Sequence, residues 1–189
     1  MASMEGVSDY LFGLIPNHTV DPVGVARWLV CKNFWGTLCT INNEQGGAPF
    51  GHVVSFSDGF PDRGRGIPYF YLTKYDISVR NIEKDAKVAF AVSELGLGPV
   101  SGRDPQDPTV TKLTMTGNLE KLDRHSAEGQ FALSVLFAKH PGMKKWPANH
   151  DFEPYKLEDI KDLFLLFETG GPVHVPVKEY LRYPKKMAE

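Results

Sequence analysis

Between residues 50 and 93 the chain reads as an apolar strand, a Gly/Pro/Arg-rich loop, an aromatic strand, a short polar turn of helix and a third apolar strand. This order constrains the fold more than any other stretch. A strand that ends at Thr73 leads into a helix start carrying Ser78, Arg80 and Asn81. Free helix N–H groups, a hydroxyl and a guanidinium are the donors needed to hold a phosphate at the lip of a barrel.

The flanking sequence supplies the rest of a barrel. Asp21 is placed to cap a helix, Pro22 suits its first turn, and Val25, Ala26, Leu29 and Val30 recur at helical spacing, so a helix is expected from Val20 to about Lys32. Residues 35–41 and 49–57 read as strands joined by a turn over 42–47. Residues 58–66 are expected to form a mobile loop in which Arg63 and Arg65 are solvated and balanced by Asp58 and Asp62. An aromatic strand over 67–72, a short helix over 75–84 and a strand over 88–93 follow. Residues 94–109 hold three Gly and three Pro, the composition of a lid, a binding loop or an insertion. A strand over 110–122 precedes a helix capped by Ser126 and running to Lys139, with Phe131, Leu133, Val135, Leu136 and Phe137 on its buried side. Two last strands, 152–157 and 160–169, are stopped by Gly170-Gly171-Pro172 before a short element over 175–183.

Six or seven strands with short connections, two main helices and no βαβ repeat predict a mainly β fold, a closed or split antiparallel barrel with peripheral helices. At 189 residues there is length for one substantial core. The expected organisation is a flexible arm over 1–19, a single domain over 20–183 and a tail over 184–189.

A net charge of −2 and a pI near 6.3 give no basic field, so nucleic acid is not an expected partner. No window approaches the roughly 18 to 20 apolar residues of a spanning helix, so membrane insertion is not expected. The apolar run at 10–16 is too short for a signal h-region and lacks a basic flank, which leaves cytoplasm or plastid open as compartments. Asn17-His18-Thr19 is a glycosylation sequon. Cys31 and Cys39 are too few for a disulfide framework or a metal site, and are expected as buried free thiols or one bridge. Six histidines without ligand spacing predict no zinc or iron site. Cys31 and Cys39 lack a nucleophile's surroundings, and no catalytic residue is assigned.

The residues resemble the CREG (cellular repressor) family, within the pyridoxamine-phosphate-oxidase-like FMN-binding split barrels. The likeness is carried by Ala26-Arg27, Trp35-Gly36, Pro49-Phe50, Ser57-Asp58-Gly59, the run from Pro68 to Leu72, and Ser78 with Asn81. The later half adds Asp104-Pro105-Gln106, Gly117, His140-Pro141, Met143, Trp146-Pro147, His150 and Gly170-Gly171-Pro172. It spans about residues 26–180.

The resemblance implies a six-stranded antiparallel split β-barrel, a homodimer and, in animal members, secreted or endolysosomal glycoproteins. A protein partner or receptor then carries the activity. It also implies that a loop, here residues 94–109, intrudes where a cofactor would lie, so that no cofactor is expected, or FMN if any. Flavin-binding relatives grip the phosphate with a strand-end Thr, a Ser and a basic pair, which maps onto Thr73, Ser78 and Arg80. Val79 stands where the pair's other basic residue would be, and a missing charge-assisted contact costs roughly 1.5 to 3 kcal/mol, about tenfold to a hundredfold in affinity. His52 and Ser55 lie on the strand that would face the flavin ring. Against the cofactor reading, Ser78 caps a helix, Arg80 and Asn81 are solvated or dimer-facing, and His52 is a satisfied strand residue. A haem or tetrapyrrole site is a third reading. Trp146, between two prolines, is expected to bury its ring against the barrel or a partner subunit.

Overall fold

The computed structural model describes residues 21–61, 63–98, 102–167 and 171–183. The expected arm over 1–19 with its sequon at Asn17, and the tail over 184–189, lie outside them. Helix α1 (Pro22–Lys32) starts where its sequence demands, because the Asp21 carboxylate accepts the Gly24 N–H at 2.8 Å. Its Val25, Ala26, Leu29 and Val30 are fully buried.

Six strands close on themselves. Strands β1 (Trp35–Asn42), β2 (Ala48–Phe60), β3 (Arg63–Thr73), β4 (Lys87–Ser93), β5 (Lys112–Lys121) and β6 (Phe152–Leu166) pair antiparallel in the order β3-β2-β1-β4-β5-β6. Strand β3 also pairs with β6, in the register Phe70 opposite Tyr155, which closes the barrel and leaves those six strands without a free edge between β3 and β6. A short β7 (Pro172–His174) adds to β6 beyond the turn that was expected to end the sheet. Period-two alternation puts Leu38, Phe56, Phe70, Phe90, Leu113, Met115 and Leu163 inside. Phe90 meets Phe56 and Phe70 edge-on at 4.9 and 5.0 Å, so three aromatic rings fill the centre.

Helix α2 (Ile77–Ile82) packs against β1. Helix α3 (Ala127–Lys139), capped by Ser126, lies on β2 and β3. It buries Ala132, Val135 and Leu136 with Tyr69 and Met143, whereas Phe131 and Phe137 are only half-buried. Helix α4 (Val177–Arg182) brings the fully buried Tyr180 against α1 and β3.

Two expectations are corrected. The stretch expected as a mobile loop at 58–66 is paired strand on both sides of its turn, with Phe60 opposite Arg63 and Gly59 opposite Gly64, while Asp62 lies outside the described residues. Asp58 is buried rather than solvated and accepts the Gly66 N–H at 3.1 Å, while Arg27 donates to the carbonyls of Gly64, Arg65 and Tyr180. The glycines are needed there. A Cβ on Gly64 would lie 2.0 Å from the Asp58 carboxylate, and one on Gly66, whose φ is +75°, would lie 2.5 Å from the Arg27 guanidinium. The two strands expected at 152–157 and 160–169 are one strand, bent at Asp159 (φ +52°) where the pairing with β5 slips between Thr116 and Asn118.

Cys31 and Cys39 are unbridged. Among the described residues no helix is long and apolar enough to cross a membrane, and no group of His, Cys, Asp and Glu is arranged to hold a metal ion.

Candidate functional site

Strand β2 carries His52 on its core-facing parity, opposite Leu38, at the barrel end that α2 covers. The Asp76 carboxylate caps α2 by accepting the Ser78 N–H at 2.8 Å. That turn brings the Ser78 hydroxyl to 2.8 Å from His52 Nε2, and Asp76 Oδ1 to 3.5 Å from the same nitrogen. Asn81 donates to the Thr40 hydroxyl at 2.9 Å. Ser78 and Asn81 are buried, so α2 is a plug stitched to the barrel by polar side chains.

The sequence-predicted residues only partly converge. His52 and Ser78 meet. Thr73 is turned to the neighbouring connection, where its hydroxyl donates to the His150 carbonyl and accepts the Tyr75 N–H at 3.3 Å. Arg80 is exposed, on the far side of α2 from the buried Ser78 and Asn81. Ser55 is three residues from His52 and pairs opposite Trp35, so alternation puts it on the other face of β2.

The buried Ser78 hydroxyl is engaged with His52, and the Thr73 hydroxyl donates to the His150 carbonyl. Asp76 and Ser78 face the same ring nitrogen, whereas a serine–histidine–carboxylate relay needs the acid on the other one.

The described residues of the loop expected to intrude, 94–98 and 102–109, lie away from His52 and Ser78. They are held by Arg103, which donates to Glu94 at 2.6 Å and to the Thr109 carbonyl at 3.0 Å, and by Lys112, which donates to the Asp107 carbonyl. Gly96 sits beside Asn33 and Trp35, at the end of β1 opposite the one where Thr40 meets Asn81.

Two clusters escaped the sequence reading. At the β2–β3 hairpin, burial pushes the Asp58 carboxyl up against the opposing pull of Lys139 and Arg27, and pushes Lys139 down against the pull of Asp58. Lys139 donates to the Cys31 carbonyl at 3.1 Å, at the last turn of α1. His140 Nε2 lies 2.8 Å from the Phe56 carbonyl, and burial lowers its pKa. Arg65, expected in solvent, lies 3.5 Å above the Phe131 ring. Glycines flanking charged residues were the signal, and their composition pointed to a loop instead.

The second cluster is aromatic. Tyr71 stacks with Phe152 at 5.1 Å and with Trp146 at 6.0 Å, so the Trp146 ring packs on the barrel as expected while keeping 41% of its surface exposed in the protomer. Tyr155, buried near Glu83, Glu153 and Asp76, has its phenol pushed up to about 12.

Residues 18–182 match the family model for the CREG β-barrel. The chain is similar to protein CREG1 of Homo sapiens, 35% identical over 164 residues, covering 85% of this chain and 73% of that protein. It is similar to protein CREG2 of Mus musculus at 32% over 169 residues, covering 87% of this chain and 58% of that one. Among solved structures, a heme-binding protein from Mycobacterium smegmatis superposes with a TM-score of 0.67 at 18% identity, over 83% of this chain and 58% of that one. The heme storage protein HutZ from Vibrio cholerae gives 0.56 at 14%, over 74% and 92%. These two likenesses show the fold.

Proposed function

The chain belongs to the CREG β-barrel family, and on that premise we propose that it is a non-catalytic split-barrel homodimer that acts through contacts with other proteins. The observation that carries this reading is the satisfaction of Ser78. Its hydroxyl is fully buried and hydrogen-bonded to His52, Thr73 is held by His150, and Arg80 faces solvent. Of the residues that would grip a flavin phosphate, Ser78 is the one built into the plug, and freeing its hydroxyl means giving up its contact with His52.

The outer face of β1, β2 and β4 supports pairing. Thr37, Cys39, Ile41, Ala89 and Ala91 are half-buried there, and Val53 is 62% exposed. A shallow groove of about 650 Å³ runs beside Cys39, Ile41, Pro49 and Ala89. Small side chains on an outer barrel face suit a second copy. Location in the secretory or endolysosomal system, with glycosylation at Asn17, belongs to the same proposal.

The test is an absorbance spectrum of protein purified without added cofactor, joined to sedimentation velocity. A featureless visible spectrum and a dimer at micromolar concentration are expected. Stoichiometric flavin bands would replace this reading by an FMN-dependent oxidoreductase. A Soret band on adding haemin would replace it by haem binding, the reading suggested by what the two bacterial neighbours are named for.

A further inference from the structure

The aromatic cluster opens on a cleft of about 480 Å³ at the side of the barrel, within the range of about 300 to 1,000 Å³ that small-molecule sites occupy. One wall is made of flat rings, Tyr71, Trp146 and Phe152, the last two 4.8 Å apart. The other polar groups at its edge are Arg124, Lys144, Asp151 and Glu153, two cations and two anions. The segment that carries Trp146 is anchored from both sides. Met143 is buried under α3, the Trp146 N–H donates to the Met143 carbonyl at 3.1 Å, and the His150 carbonyl is held by Thr73. Tyr71 is itself fixed edge-on against Phe137 at 5.4 Å. The rings are therefore in place before any ligand arrives.

We propose that this cleft binds a neutral pyranose ring of an oligosaccharide. A pyranose has an apolar C–H face for the exposed indole and equatorial hydroxyls that both donate and accept. Carboxylates accept from such hydroxyls, and guanidinium and ammonium groups donate to them. The lining sets two cations beside two anions, so donors and acceptors for hydroxyls stand side by side along the ring wall. Lys74 beside Asp151 and Lys121 beside Glu153 add two cations behind that edge, so a phosphodiester chain is the competing ligand that the titration must separate from a sugar. A proline-rich peptide would use the rings and leave the four charged groups without a role. Arg124 and Glu153 stand 3.9 Å apart, and Lys74 pairs with Asp151, so the polar edge is held in place while each carboxylate keeps lone pairs for a hydroxyl. None of this depends on the barrel end or on dimerisation.

The full chain, labelled with 15N, would be titrated with maltotriose, mannotriose and chitotriose while the indole N–H resonances are followed. The Trp146 signal, assigned from Trp146→Phe, is expected to move saturably with at least one of them, with a Kd of about 1 mM or tighter. Trp28 is buried and serves as the internal control. Trp146→Ala, which lacks the Trp146 signal and is read by calorimetric titration with the same sugars beside the parent and Arg124→Ala, is expected to weaken binding at least about tenfold. The exposed Arg124→Ala, which spares the aromatic packing, is expected to weaken it less and to change which sugar binds best. The proposal fails if no sugar moves the Trp146 resonance up to about 20 mM, or if both variants bind as the parent does. It also fails if a polyproline peptide or a single-stranded oligonucleotide saturates the same signal and the sugars do not.

Discussion

The two ends of strand β2 close the barrel in different ways. At His52 the plug is made of polar side chains, Ser78 and Asn81 with His52 and Thr40, and the Asp76 carboxylate beside them doubles as a helix cap. At Asp58, eight residues before Gly66, the fold buries full charges with a guanidinium and an ammonium, and uses glycines to let them reach backbone carbonyls and N–H groups. Hydrogen-bonded polar pairs are cheap to rearrange. Buried charges are not, because each loses its hydration and depends on its partners. The family likeness pointed to the first end as the chemical one, whereas the second holds the larger electrostatic stake.

This contrast is sharpest in the effect of removing one partner at each end. Asp58→Ala leaves Arg27 and Lys139 buried without their counter-charge and is expected to cost roughly 3 to 5 kcal/mol in urea unfolding. A loss below about 1 kcal/mol would place the hairpin end on the same footing as the plug. Ser78→Ala is expected to cost about 1 kcal/mol, the net worth of one buried hydrogen bond plus its cap neighbour, with no change in flavin affinity. If it costs as much as Asp58→Ala, the plug is the stronger end.

A third test uses pH at the hairpin end. His140 has a pKa below its ordinary 6.5, so between its lowered value and 6.5 the unfolded chain binds more protons than the fold. Stability therefore rises with pH across that window and is lost as pH falls through it. His140→Gln should flatten that slope, and an unchanged slope in urea titrations would assign it to other groups. The smallest effect is expected from Arg80→Ala, within about 0.5 kcal/mol, as for an exposed side chain that touches no special feature.

Much of this was legible in the residues. Asp21 and Ser126 marked the helix starts because capping is a local rule, and strict alternation placed Leu38, Phe56, Phe70 and Met115 in the core. The hairpin at Asp58 was not legible. Gly, Asp and Arg in succession have the composition of a solvated loop, and only Arg27, about thirty residues earlier, together with Tyr180 near the other end of the chain, turns them into a buried cluster. The break expected near Asp159 was a bulge, since a left-handed residue and a strand end leave the same trace in sequence. At the candidate site, Thr73, Ser78 and Arg80 were marked by the donor pattern at a strand end and helix start, His52 and Ser55 by resemblance, and strand parity alone already separates Ser55 from His52. That Ser78 turns inward to His52 depends on how α2 meets β1, which no local pattern encodes. For Trp146, prolines on an aromatic suggested packing, which its contacts with Tyr71 and Phe152 bear out, and did not say which face is left open in the protomer.

Whether Ser78 and His52 keep a flavin phosphate out of the barrel end is tested most directly by calorimetric titration of FMN into the intact chain. No saturable heat at micromolar protein and up to about 1 mM FMN is expected. One-to-one binding at micromolar affinity that disappears in Ser78→Ala would contradict it, and would mean that His52 releases the Ser78 hydroxyl to a ligand.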